Sequence, residues 1–233
     1  MKITEKLERG VLLRRYKRFL ADVELADGSV ETVHCPNPGR LIGCLPERAE
    51  VVLRVSDNPK RKLAKTLQTI RVGDEWVNVD TMLPNPVVGE ALRAGTIPEL
   101  GGYAKVRSEV KSREGSRIDF LLEDDRRGRC WVEVKCTTLV EDGVAMFPDA
   151  VTARGKKHLE ELAHLVAEGD RAVIFFFVSR LDADSFAPAA HIDPAYAEAL
   201  RIALEAGVEA LAYLARVRPD ELSLDRRVPV ALS

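Results

Sequence analysis

Little in this chain of 233 residues marks a specialised environment. It has four cysteines, Cys35, Cys44, Cys130 and Cys136, and no two of them stand in the C-x2-C spacing of a zinc knuckle. They are also too sparse for a disulfide scaffold, so reduced and mostly buried thiols of a cytoplasmic protein are expected. The longest apolar run, around Ala172 to Val178, falls far short of the roughly 18 residues that a membrane-crossing helix needs. The first residues, MKITEKLERG, are charged and lack the apolar stretch and cleavage site of a secretory signal, so export is not expected. Neither sign of charge dominates. The 35 Lys and Arg against 37 Asp and Glu leave a formal charge of −2, which excludes a generally basic DNA-coating protein and an acidic tail protein alike. Any site for a polyanion must be a local patch.

What is present is an ordinary globular balance, 46% hydrophobic against 31% charged, long enough for one large domain or two small ones. Residues 1–83 carry 15 Lys/Arg against 12 Asp/Glu, so the first third is the basic one. It reads as about five short strands: GVLLRRYKRFLADVEL, SVETVHC, AEVVLRVS, KTLQTIRVG and EWVNVDT, separated by turn-forming stretches. That many short strands in so short a segment suit a small closed barrel such as the five-stranded OB-fold.

Pro84 and Pro86 stop this strand pattern, and a short helix from about Val87 to Ala94 is expected to follow, giving two domains, 1–83 and 84–233. AKVRSEVKS, SRIDFLLE and RCWVEVKCTTL then read as an antiparallel meander, its first two runs joined by a turn at REG. Leu159, Leu162, Ala163, Leu165 and Val166 recur at helical spacing between Ala153 and Glu168, with Gly169 after them. RAVIFFFVS has the continuous apolar character of a strand covered on both faces. Asp193-Pro194 opens another helix that Gly207 ends, and VEALAYLARV supplies a last strand.

The sharpest chemical feature is Asp119 on one strand of the meander and Glu133 with Lys135 on the next. Strand alternation puts Trp131, Glu133 and Lys135 on one face and Val132 and Val134 on the other. Two carboxylates suit a hard, well-hydrated cation such as Mg2+ or Mn2+, and a neighbouring ammonium can orient a water or stabilise charge on a phosphate. The same residues also suit a solvated strand face. The acid, acid and lysine set, together with the order of elements, resembles the PD-(D/E)xK nuclease superfamily, with Ile118 standing where the motif name has proline.

RYKRFLADV, HCPNPGR, DNPKRK, SEVKSREGSRIDFLL, VEVKCTTL, FPDAVTARGKKHLEEL and GDRAVIFFFV together resemble the sugar fermentation stimulation protein A family, SfsA, from about Leu7 to Val217. The resemblance implies an N-terminal OB-like barrel, a C-terminal PD-(D/E)xK nuclease-like α/β domain, and binding to DNA. It departs from the family pattern at Asn37-Pro38-Gly39, usually NTG, and at Val79-Asp80-Thr81, usually VNT. Asp119 and Glu133 are then the expected metal ligands and Lys135 the group that positions the attacking water. Glu90, on the short helix, stands where superfamily nucleases often carry an extra acid, although a helical glutamate is also an ordinary solvent residue. Glu109 is either a further ligand or a cross-strand partner of Lys111 or Arg117. His158 and Lys156 sit in the first turns of the helix after the metal strand, where superfamily members often place a basic or amide residue; this makes His158 a candidate for the catalytic set, although it equally suits a helix surface.

For nucleic acid contact, RRYKRF interleaves Arg15, Lys17 and Arg18 with Tyr16 and Phe19. If it is a strand, Tyr16 and Arg18 share one face and Arg15, Lys17 and Phe19 the other. Lys60, Arg61, Lys62 and Lys65 form a second basic cluster, and Arg40, Arg154 and Lys156 complete the expected DNA-binding set. DNA is the expected partner, with RNA left open because an OB barrel accepts either. Two functions compete: a Mg2+-dependent phosphodiesterase with little sequence preference, and a non-catalytic DNA-binding regulator of sugar-use genes.

Overall fold

The computed structural model describes residues 1–112 and 115–232. Its first sheet contains β1 (Lys6–Tyr16), β2 (Leu20–Leu25), β3 (Val30–His34), β4 (Glu50–Val55), β5 (Lys65–Val72) and β6 (Glu75–Asn78) in the order β3-β2-β1-β4-β5-β6. A parallel contact between His34 and Thr66 joins β3 to β5, so the first five strands close on themselves as an OB-like barrel and β6 is added beside β5. Leu12, Val23, Val33, Val51, Leu53, Leu67 and Ile70 fill it. RRYKRFLADV is a hairpin rather than one strand: β1 ends at Tyr16, which pairs with Leu20. The shared faces expected for Lys17, Arg18 and Phe19 therefore do not exist. This turn carries no Gly, Asn or Pro to announce it, because Lys17 (φ 47°) and Arg18 (φ 62°) take the left-handed conformation themselves.

The second part is built on a six-stranded sheet of order β15-β14-β12-β9-β8-β7. Its members are β7 (Lys105–Lys111), β8 (Arg117–Asp124), β9 (Gly128–Thr137), β12 (Arg171–Val178), β14 (Glu209–Arg218) and β15 (Glu221–Val228). The first three form the expected antiparallel meander. Arg113 and Glu114 of the REG turn lie outside the described residues. The apolar strand β12 sits mid-sheet, parallel to both β9 and β14. Its two faces account for its composition: Ile174, Phe176 and Val178 pack with residues of α2 (Ala153–Ala167) and α3 (Pro194–Glu205), whereas Val173, Phe175 and Phe177 pack with α1 (Pro84–Ala94) on the other side. Three layers result, helices on either face of one sheet.

The helix α1 begins earlier than expected. Pro84 and Pro86 lie within its first turn, where a missing N–H costs nothing, and it ends at Gly95 in the left-handed conformation. Asp193 joins the other two helices: its Oδ1 accepts from Tyr196 N to cap α3, and its Oδ2 accepts from Thr152 N, whose own side chain caps α2 at Gly155 N. Three short strands not expected from the sequence, β10 (Leu139–Glu141), β11 (Val144–Phe147) and β13 (Ser185–Pro188), make a small separate sheet. The strand β15 was likewise not foreseen. Its turn holds the N-terminus, since Ile3 N donates to Asp220 O and Leu222 N to Met1 O. All four cysteines are free thiols, and among the described residues no helix is long and apolar enough to cross a membrane.

Candidate active site in the cleft between barrel and sheet

A cleft of about 1370 Å³ separates the barrel from the second sheet. One wall is the barrel's hairpin and loop, with Arg18, Asn37, Gly39 and Arg40; the other presents Asp119, Glu133, Lys135 and His158. Register explains the second wall. Phe120 pairs with Val132, so Asp119 on β8 lies across from the Glu133–Lys135 stretch of β9, and its Oδ2 accepts a 2.7 Å hydrogen bond from Val134 N. Its Oδ1 accepts from Asn85 Nδ2, also at 2.7 Å, so the acid is oriented by both the neighbouring strand and the first turn of α1. Burial, then the Glu133 charge, push the Asp119 carboxyl up to about 6.

Glu133 is only 3% exposed. Its Oε1 accepts from Lys135 Nζ at 2.7 Å and is bonded to His158 Nδ1. Arg154 Nε donates to His158 Nε2 at 3.3 Å, which leaves Nδ1 as the ring nitrogen that donates to Glu133. Burial pulls the Glu133 carboxyl upward, but the bonds and charges of His158 and Lys135 outweigh it and hold the group below the ordinary glutamate value. The second oxygen, Oε2, is buried with no hydrogen-bond partner. An orphaned carboxylate oxygen beside an acid destabilised by its neighbour's charge is the arrangement a cation would complete. The donors are oxygens and few. Two carboxylates suit a hard ion that keeps much of its water, such as Mg2+, rather than zinc, and among the described residues no three His, Cys, Asp or Glu groups cluster as a metal cage.

The other expected residues divide sharply. Arg18, Arg40 and Arg154 line the cleft. Glu109 lines it as well: the β7–β8 register sets it opposite Asp119, but it leaves the ladder with φ 54°. Glu90 does not, because Val87, Val88, Ala91 and Leu92 form the buried face of α1 and leave it exposed, where it pairs with the N-terminal ammonium at 3.1 Å. Arg15 is spent on the barrel loop, donating to Asn37 O, Gly39 O and Arg40 O. Lys65 Nζ is held by Glu8 at 3.0 Å and Glu31 at 2.7 Å, with little of its side chain exposed. Tyr16 donates to Asp22 Oδ1 within the barrel. Lys156 points away from the cleft, toward Glu160 and the groove between α2 and α3. Lys60, Arg61 and Lys62 are exposed in the β4–β5 connection and do not line the cleft.

Two residues were missed by sequence reasoning. Asn85 stands between Pro84 and Pro86, prolines that the sequence offers only as the end of the strand pattern, before the expected helix. Asp149 joins the two walls: its Oδ2 accepts from Leu41 N of the barrel loop at 2.7 Å. The two residues stand 108 positions apart in the chain, and no local pattern signals their meeting.

Two family models match the chain, one described as the sugar fermentation stimulation protein RE domain over residues 82–221 and one as the SfsA N-terminal OB domain over residues 13–79. The sugar fermentation stimulation protein homolog of Geobacter sulfurreducens is 53% identical over 230 residues, covering 99% of this chain and 98% of its own. The homolog of Pelobacter propionicus is 54% identical over 223 residues, 96% of each chain. Among solved structures, Pyrococcus furiosus SfsA in complex with Ca2+ matches with a TM-score of 0.89 at 29% identity, over 99% of this chain and 98% of that one.

Proposed function

This chain belongs to the sugar fermentation stimulation protein family, SfsA, and on that premise we propose that it binds DNA in the cleft and hydrolyses phosphodiester bonds there with Mg2+ or Mn2+. The observation that carries the reading is the meeting of Asp119, Glu133 and Lys135 on one wall of a cleft whose opposite wall offers Arg18 and Arg40. The Ca2+ of the Pyrococcus furiosus relative supports it, being a hard oxygen-seeking ion of the class this donor pair suits.

Asp119 and Glu133 would hold the ion, which when bound supplies positive charge to the scissile phosphate and a more acidic water. Asn85 and Val134 N keep the Asp119 carboxylate aimed into the cleft. His158 holds Glu133 in the same way, and Arg154 fixes the His158 tautomer that does so. Lys135 keeps an ammonium at the reacting centre, to position water and balance charge developing on phosphate. Arg18 and Arg40 engage flanking phosphates, which carries little sequence preference. In this reading residues 1–83 form the binding unit, residues 84–233 the reacting unit, and the protein works on DNA in the cytoplasm.

One observation favours the second reading, a regulator that binds without cutting: Glu133 Oε1 is already engaged by Lys135 and His158. Purified protein incubated with supercoiled, linear and single-stranded DNA, and with RNA, in Mg2+, Mn2+ or chelator separates the two. Metal-dependent cleavage abolished by Asp119→Asn supports the enzyme; binding to DNA without cleavage under every condition leaves the regulator.

A further inference from the structure

The β1–β2 hairpin carries two consecutive left-handed residues with full side chains, Lys17 and Arg18. A tight hairpin ordinarily takes Asn-Gly at such positions, since a Cβ in the left-handed region clashes with the backbone. Nothing within the fold repays the lysine and arginine: both are exposed, and among the described residues neither side chain has a hydrogen-bond or ion-pair partner. The next residue, Phe19, leaves 45% of its surface exposed.

This tip is nonetheless rigidly mounted. Cys35 N donates to Phe19 O at 2.9 Å, tying it to the start of the loop that follows β3. Below it, Asp22 accepts from Arg14 Nε, Tyr16 OH and Thr32 Oγ1, and the Arg14 guanidinium lies 4.9 Å from the centre of the Tyr16 ring. Arg18 lines the cleft from this mount, and the exposed Phe19 is the next residue along the chain.

We propose that the Lys17–Phe19 tip is a base-stacking finger, which grips an unpaired nucleotide next to the cleft and makes the protein prefer single-stranded or frayed nucleic acid to perfect duplex. The inference rests on the nucleic acid reading above and adds the substrate class. Cations held in the open contact phosphates whatever the strandedness. An aromatic ring is different. It can stack on a base face only where that face is not already covered by its neighbours in a duplex.

Binding of the full chain to a labelled single strand, and to the blunt duplex containing it, is measured in chelator so that no cleavage intervenes. Phe19→Ala, a change at an exposed position, should weaken binding to the single strand by at least about fivefold and to the duplex by no more than about twofold. Phe19→Trp should keep the wild-type affinity, with the added tryptophan quenched by the single strand and not by the duplex. Lys17→Asn with Arg18→Gly should raise the denaturation midpoint, since the turn is relieved, and weaken binding to both forms. Equal effects of Phe19→Ala on both forms, no effect on either, or undiminished binding by the relieved turn would overturn the finger. Wild type that binds neither form would sink the nucleic acid reading itself, a different result from wild type that binds while Phe19→Ala does no harm.

Discussion

Gly39 of the barrel loop packs directly against Asp149 of the facing wall, and replacing it by alanine should open the seam between them. A Cβ at residue 39 would stand 2.6 Å from Asp149 Oδ2 and 2.7 Å from Asp149 Cγ, closer than real Cβ atoms come. The carboxylate must therefore move, and it has little freedom to do so. Its Oδ2 is held by Leu41 N at 2.7 Å, in surroundings buried enough to push its carboxyl above the ordinary aspartate value. A hydrogen bond to a charged group contributes about 1.5–3 kcal/mol, so Gly39→Ala should cost roughly 2–3 kcal/mol once that bond is broken. Asp149→Ala removes the same bond but makes room for the new methyl, so the double variant should cost no more than Asp149→Ala alone, a coupling of about 2 kcal/mol. Urea denaturation followed by circular dichroism measures the three costs. Costs that simply add, or a neutral Gly39→Ala, would refute the seam as described.

Divalent-cation affinity should fall as pH drops below about 6, because Asp119 then takes up a proton that the ion must displace, and should level off above it; calorimetric titration with Mg2+ between pH 5 and 8 checks this. Removing Lys60, Arg61 and Lys62 together should leave the dependence of log affinity for duplex on log salt unchanged, because none of them lines the cleft, whereas Arg18→Ala with Arg40→Ala should flatten it by up to about 0.9 for each phosphate no longer neutralised. Lys65→Ala should leave that slope unchanged and lower stability instead, since its ammonium is committed to Glu8 and Glu31. Glu90→Gln should leave cation affinity and any cleavage at the wild-type level, because its carboxylate faces the N-terminus outside the cleft.

The part of this molecule that could be read from the sequence is the part governed by short periods. Alternation along VEVK placed Glu133 and Lys135 together, and the uninterrupted apolar run of RAVIFFFV placed β12 mid-sheet; both depend only on nearest neighbours. The barrel was legible as a class, but its first strand was misread because the turn at Lys17 and Arg18 has the wrong residues for its conformation. Glu90 was misplaced for a related reason. Prolines that stop a strand also start a helix, so Asn85 sits in the first turn of α1 beside Asp119, while the buried face of that helix falls to Val87, Val88, Ala91 and Leu92 and leaves Glu90 in solvent. Lys65 and Arg15 looked like free cations because their partners, Glu8, Glu31 and the carbonyls of residues 37, 39 and 40, are brought to them by barrel closure, which no local pattern reports.

Asp119 and Glu133 should share one divalent cation, and crystals grown with Mn2+ and measured at the manganese absorption edge test this without reference to turnover. One anomalous peak per chain is expected in the cleft, in contact with a carboxylate oxygen of each residue, and lost in Asp119→Asn. A peak bound elsewhere, or a wild-type cleft that stays empty at millimolar Mn2+ above pH 6, would contradict it.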